Sequence, residues 1–326
     1  MRYTVRHVTR FTYESSVTES MMEARMQPHT DNQQRCLHFV LLTNPSSRVL
    51  TYQDHENNTV HHFNIPARHS RLTLTAEALV ECVPARPLPH RLGPAAWPRV
   101  DTLAATGRWL EYLLPSTFVR QPAALDTLRQ EIGLERGNDP LVTLRRLMGE
   151  MYARFEYSPR STRVDSPIDE ALETRRGVCQ DFTHIFLSLV RPLGIPARYV
   201  SGYLFQEAGG HDRSIDGATH AWVEVLLPDL GWVGLDPTNN LIVEDRHIRV
   251  AIGRDYADVP PTRGVFKGVG TARSELNVSV RVGPAPSLVS NDLVAFTPRM
   301  WRDTIESPAD DGGGNARDLQ QQQHQQ

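Results

Sequence analysis

Between Thr4 and Phe11 polar and apolar residues alternate with a period of two. That repeat puts successive side chains on opposite faces of a strand. The same texture, often rich in β-branched residues, returns around Cys36–Leu42, Arg48–Gln53, Thr59–Ile65 and Leu72–Val80. Turn formers separate these runs, first Asn44-Pro45-Ser46 and then Glu56-Asn57-Asn58. Residues 1–84 are therefore expected to form an N-terminal antiparallel β domain, a small sheet or sandwich. Residues 85–100, ARPLPHRLGPAAWPRV, carry enough proline to stiffen a chain and stop both helix and sheet. They are expected to be a linker.

From Asp101 the period lengthens. DTLAATGRWLEYLL, PAALDTLRQEIG and DPLVTLRRLMGEMYARF read as helices. The last has a start signal in Asp139 followed by Pro140. A further helix is expected over Cys179–Val190, stopped by Gly194-Ile195-Pro196. Strand-like runs follow: ARYVSGYLF, HAWVEVLL and GWVGLD. Helices first and an antiparallel sheet afterwards is the α+β order, not the alternating βαβ one. Residues 101–282 are expected to be one catalytic domain with its C-terminal strands. Residues 283–326, ending in the low-complexity ADDGGGNARDLQQQQHQQ, are expected to be a largely disordered tail.

Composition narrows the function classes. With 326 residues, 40% hydrophobic and 22% charged, the chain has an ordinary globular balance. A formal net charge of -3 gives no electrostatic reason to expect nucleic acid or an anionic membrane as partner. No apolar run approaches the roughly 18 residues of a membrane span. The N-terminus alternates where a signal peptide would be continuously apolar. The three cysteines, Cys36, Cys82 and Cys179, are too few and too scattered for a disulfide framework or a zinc knuckle. A cytoplasmic, reducing setting is expected, with neither metal nor organic cofactor.

Candidate chemistry sits in three segments. In Arg176-Gly177-Val178-Cys179-Gln180-Asp181-Phe182, a glycine lets the chain approach closely and the cysteine opens a helix. A helix N-terminus favours thiolate over thiol, and its free N–H groups suit an oxyanion. Alone, such a cysteine is more often an inert buried thiol. In Thr219-His220-Ala221-Trp222-Val223-Glu224-Val225, His220 shares a strand face with Trp222 and Glu224 and is a candidate base. In Gly231-Trp232-Val233-Gly234-Leu235-Asp236-Pro237-Thr238-Asn239, Asp236 ends a short strand, where a carboxylate can fix an imidazole tautomer. In isolation, Asp-Pro is also an ordinary turn initiator.

The order Cys, His, Asp within GVCQDF, THAWVEV and GWVGLDPTN resembles the transglutaminase-like superfamily over about Tyr157–Asn239. The segment from Leu193 to Tyr203, LGIPARYVSGY, is similar to the run that superfamily carries between nucleophile and histidine. The β-rich first domain is similar to the N-terminal region of bacterial members. The resemblance implies a papain-like core, with the thiol on a helix and His and Asp on adjacent strands. It also implies a Cys179–His220–Asp236 triad. It suggests Tyr157 as an oxyanion donor, to which the residues themselves add Gln180. Trp222 and Trp232 are candidates for the walls of a substrate groove. The function implied is acyl transfer on amide bonds of a peptide or protein, as peptidase or amidase hydrolysis. Protein-glutamine crosslinking and a non-catalytic scaffold on the same fold are the alternatives.

Overall fold

The computed structural model describes residues 1–84, 87–159, 161–207, 210, 212–214, 217–268 and 274–285. The chain opens with strands β1 (Arg2–Val17), β2 (Glu19–Ala24), β3 (Gln34–Asn44), β4 (Val49–Gln53), β5 (Thr59–Ile65) and β6 (His69–Cys82). Helices α1 (Ala96–Ala105), α2 (Ala123–Glu131) and α3 (Pro140–Arg154) follow. Then come β7 (Glu156–Tyr157), α4 (Ile168–Thr174), β8 (Arg176–Gly177) and α5 (Cys179–Val190). The remaining strands are β9 (Ala197–Leu204), β10 (His220–Leu227), β11 (Gly231–Asp236), β12 (Leu241–Ile242), β13 (His247–Gly253), β14 (Thr262–Lys267) and β15 (Ser274–Pro284). The α+β class expected from the sequence is the class observed.

α5 is the centre of the molecule. All 12 of its residues are buried, so it is apolar on nearly every face instead of one stripe. Phe182, Ile185, Phe186 and Leu187 are each worth about 1.5–3 kcal/mol on burial. α2, α3 and α4 pack around it, and β9 and β10 form its floor. Those strands belong to a five-stranded antiparallel sheet in the order β12-β11-β10-β9-β13. His220 opens β10 and Asp236 closes the antiparallel neighbour β11, so both lie at the same end of the sheet. Gly202 faces His220 across the β9–β10 pair. A Cβ there would sit 2.2 Å from the Ile248 carbonyl oxygen and 2.5 Å from the Trp222 ring, so only glycine permits this close packing.

Two further sheets, ordered β15-β1-β6-β3 and β14-β2-β5-β4, make the N-terminal unit. Tyr13, Val17, Met22, Phe63, Ile65, Leu72 and Leu74 form the core of this unit. The sequence reading placed the strands after residue 260 in the catalytic domain, and here the observed pairing differs. β14 pairs with β2 and β15 with β1, so both close the N-terminal sheets. Alternation identifies a strand and its buried face, but not its partner, which is why the pattern alone misassigned them. Residues 283–285 belong to β15 and the stretch that follows it, and the rest of the expected tail lies outside the described residues.

The proline-rich segment also does more than link. α1 begins inside it, with Pro98 in the first turn, where a missing N–H costs nothing. Leu92 N–H and Gly93 N–H donate to Asp139 Oδ2 at 2.6 and 2.7 Å, while Asp139 Oδ1 caps α3 through the Leu141 and Val142 amides.

The N-terminal unit also reaches the five-stranded sheet. On β9, β10 and β13, Arg198, Glu224 and Arg249 form a buried ion network. Glu224 Oε2 accepts from Arg198 Nε and Nη2 at 2.8 and 2.6 Å, and Oε1 accepts from Arg249 Nε at 2.8 Å. Asp31 pairs with Arg249 from the N-terminal unit, and Gln33 adds a 2.9 Å hydrogen bond. Gln34 and Asn58 cap the backbone of β13 with their side-chain amides, at Arg249 and Ile252.

Candidate active site

Cys179 is the first residue of α5. Val178 precedes it in extended conformation, and Asp181 Oδ2 accepts the Val178 N–H at 2.8 Å and the Thr162 hydroxyl at 2.5 Å. Burial pushes the Asp181 carboxyl up to about 6, against the lowering effect of those two hydrogen bonds. Gly177 makes the fit possible: a Cβ there would lie 2.9 Å from Asp181 Oδ2 and 3.2 Å from the Phe182 ring. Gly177→Ala is therefore expected to displace the start of α5 and cost about 1–3 kcal/mol. Urea denaturation checks this, and an unchanged midpoint would show that the helix start tolerates the methyl group.

His220 stands beside that helix start, 4% exposed. Its Nε2 lies 2.7 Å from Asp236 Oδ2. Its Nδ1 is buried and has no hydrogen-bond partner among the described residues. The Cys179 thiol is close enough to act on the protonation of the ring. Burial alone would lower the His220 pKa. The charge and hydrogen bond of Asp236, with Cys179, reverse this and raise it, favouring the imidazolium.

Asp236 is fully buried and saturated with donors. Besides His220, its Oδ2 accepts Asn239 Nδ2 at 2.8 Å and meets His247 Nε2 at 3.3 Å. Oδ1 accepts the Thr238 and Asn239 amides at 3.0 and 3.3 Å. Burial works against the carboxylate form, but the two histidines outweigh it and hold the pKa well below the usual range. His247, from β13, has its own pKa lowered, chiefly by burial. It therefore donates to Asp236 as a neutral ring. The ligand-type atoms of His220, Asp236 and His247 lie within 4.8 Å of one another, and both histidines are hydrogen-bonded to the carboxylate.

A narrow crevice meets this constellation, lined by Tyr157, Gln206, Thr219, His220, Val280 and Val282 among others. A wider groove of about 420 Å³ adjoins it at Tyr157, lined by residues 153–157 and Arg213. Val280 and Val282 belong to β15, so the N-terminal sheets supply part of the crevice wall.

Known proteins resemble this chain. Residues 128–237 match the transglutaminase-like superfamily, and residues 3–81 match the bacterial transglutaminase-like N-terminal region. The chain belongs to the transglutaminase-like superfamily. An uncharacterized protein of Mycobacterium tuberculosis H37Rv is 36% identical over 295 residues, covering 87% of this chain and 93% of that one. An uncharacterized protein of Mycobacterium leprae is 32% identical over 282 residues, covering 86% and 98%. A protein-glutamine gamma-glutamyltransferase of Pseudomonas aeruginosa is 29% identical over 187 residues, covering 54% of this chain and 28% of that protein. Among solved structures, a candidate cysteine protease from Cytophaga hutchinsonii shares the fold. Its TM-score is 0.69 at 20% identity, covering 89% of this chain and 92% of that one.

The secondary positions suggested by the superfamily resemblance and by the residues divide. Tyr157 borders both the crevice and the groove, and pairs through β7 with Gly177 of β8, two residues before Cys179. Gln180 is engaged with the loop before α4: its Nε2 donates to the Val164 carbonyl at 2.8 Å. Trp222 is not a groove wall. It is 1% exposed and packs behind the site against His220 and His247, with ring centroids 6.1 and 5.3 Å away. Trp232 is not at the site either. It pairs with Leu226, six residues along β10 from His220, roughly 20 Å at strand rise. There it meets Trp109, Tyr112 and the Arg198 guanidinium. Period-two alternation put Trp222 on the face of His220 but could not say what covers that face.

Asn239 and His247 were not singled out from sequence. Asn239 stood in the quoted GWVGLDPTN motif, three residues beyond Asp236, a spacing that suits a turn contact. His247 had no such signal, because only the β9–β13 pairing brings it to Asp236.

Proposed function

We propose that this chain is a cysteine-dependent acyl-transfer enzyme that hydrolyses amide bonds in peptides or proteins. Cys179 is the nucleophile, His220 the proton carrier and Asp236 the orienting carboxylate. The observation that carries this reading is the polarity of His220, with Nε2 bonded to a saturated carboxylate and Nδ1 left to the thiol at a helix start. The thiolate adds to the amide carbonyl carbon, forming C–S. The oxyanion is met by the N–H groups of the first turn of α5 and by Tyr157. Collapse breaks C–N, and the departing amine takes its proton from His220. Water, losing a proton to His220, then adds to the thioester. C–O forms, C–S breaks, and the carboxylic product leaves with the thiolate restored. Asp236 stays ionised throughout, holding the ring in place. The free thiols Cys36, Cys82 and Cys179 suit a reducing, cytoplasmic compartment.

A second reading, transfer to an amine, is favoured by the similarity to the Pseudomonas aeruginosa glutamyltransferase. It uses the same thioester and differs only in the acceptor. The test is intact mass spectrometry after exposure to a peptidyl vinyl sulfone. One adduct on Cys179, absent from Cys179→Ala, is expected. A native protein that takes no adduct at Cys179 would point to a non-catalytic scaffold. With a glutaminyl or peptidyl substrate in hand, product masses with and without added amine separate hydrolysis from transfer.

A further inference from the structure

We propose that Arg213 is a specificity residue that binds a carboxylate of the substrate next to the amide attacked by Cys179; this deepens the acyl-transfer reading and rests on it. The argument starts from charge in the 420 Å³ groove. Three of its lining residues are charged. Arg154 is paired with Glu150 at 3.0 Å, and Glu156 with Arg176 at 3.1 Å. Arg213 has no carboxylate partner among the described residues, so it is the unbalanced charge of the groove.

Arg213 is also held rigidly, which sets it apart from a loose surface arginine. Its Nη1 donates to the Tyr152 and Phe155 carbonyls at 2.8 and 3.0 Å. Its guanidinium carbon lies 3.3 Å from the Tyr152 ring centroid. These contacts occupy one edge of the fork. Nε and Nη2, the pair that grips a carboxylate side-on, make no hydrogen bond within the described residues. A fork already ordered by the protein loses little further freedom on binding an anion.

The backbone ties this fork to the reacting groups. Asn239 Oδ1 accepts the Arg213 N–H at 2.7 Å and the Ser214 N–H at 3.3 Å. Asn239 Nδ2 donates to Asp236 Oδ2, which holds His220. One asparagine therefore positions both the carboxylate behind the base and the arginine in the groove. Tyr157 lines the groove with Arg213 and the crevice with His220, so the path from Arg213 to the base is continuous. An extended peptide lying along it would present a flanking acidic side chain or a terminal carboxylate to Arg213.

The test uses two matched sets of electrophiles, one for each side of the attacked bond. Acetyl-Glu-Gly and acetyl-Gln-Gly vinyl sulfones probe the acyl side. Iodoacetyl-Ala-Glu-amide, iodoacetyl-Ala-Gln-amide and iodoacetyl-Ala-Gln with a free terminus probe the other side, and separate side-chain from terminal carboxylate. Rates at Cys179 are divided by the iodoacetamide rate of the same protein. Wild type should prefer at least one anionic probe by about tenfold, the size of one charge-assisted contact. The preference should vanish in Arg213→Gln, persist in part in Arg213→Lys, and shrink in wild type between low and high salt. The wild-type measurements stand even if a variant fails to fold. Equal normalised rates for every anionic and neutral pair in wild type would overturn the assignment. So would a preference that survives Arg213→Gln. An ordinary, unactivated iodoacetamide rate at Cys179 would instead remove the acyl-transfer reading, and the assignment with it.

Discussion

Replacing His220 with alanine should change the shape of the pH–rate curve for alkylation of Cys179, not only its height. In the wild type the imidazolium is favoured, because Asp236 and Cys179 outweigh the burial that opposes it. An imidazolium beside the sulfur supports negative charge there, so the alkylation rate should change little as pH falls from 8 toward 6. Without the ring, that support for negative charge on the sulfur is gone, and the rate should fall steeply over the same range. The clean comparison is therefore at pH 6, where a difference of about tenfold is expected. Asp236→Ala should move the curve the same way but less far, since it removes the charge that supports the imidazolium. Turnover should suffer more than labelling, by about 10²–10⁴, because the departing amine loses its proton donor. Burial raises Cys36 to about 11 and Cys82 to about 12, so neither should compete for iodoacetamide near neutrality. Superimposable curves for wild type and His220→Ala would remove the imidazole from the mechanism.

The largest stability effect should come from a residue outside the chemistry. Glu224→Gln keeps the shape of a 1% exposed side chain but strips the charge shared by Arg198 and Arg249. Asp31 compensates Arg249 in part, but Arg198 has no second carboxylate partner among the described residues. Breaking a buried ion network from one side typically costs about 3–5 kcal/mol, enough to unfold a marginal protein. pH provides a second signature. Burial works to raise the Glu224 pKa, and the two arginines reverse this and lower it. A depressed carboxylate stabilises the fold above its unfolded value, near 4.3, and that contribution is lost as pH falls through the folded value. Wild type should therefore lose stability in acid more steeply than Glu224→Gln. Chemical denaturation at pH 7 and pH 4 reads both effects. Equal stabilities at pH 7 would show that the network is replaceable.

Much of the candidate site's placement was legible because its residues are marked in local sequence. Cys179 at a helix start, His220 opening a strand and Asp236 closing one each follow from a few neighbouring residues. The antiparallel β10–β11 pair then brings the last two together. What escaped depends on contacts between distant segments. His247 reaches Asp236 only because β13 pairs with β9, and Arg213 is placed by a hydrogen bond to Asn239, 26 residues away. Trp232 misled for the same reason: on a strand the face is periodic, but the distance along it decides which cluster a side chain joins. The N-terminal strands were legible one by one, whereas their closing partners lie some 250 residues later and carry no mark of whom they join.

That closure has a consequence for how the molecule can be made. β1 and β2 emerge from the ribosome first, yet each gains an outer neighbour only when β15 and β14 are synthesised. The segment carrying the candidate site is thus an insertion between two halves of one β scaffold, and the nascent N-terminal sheets wait with bare edges while it is translated. Bare edges are templates for adhesion to other chains. A fragment ending near residue 84 should aggregate, one starting near residue 101 should carry two orphan strands, and supplying both together is the natural way to let the halves find each other.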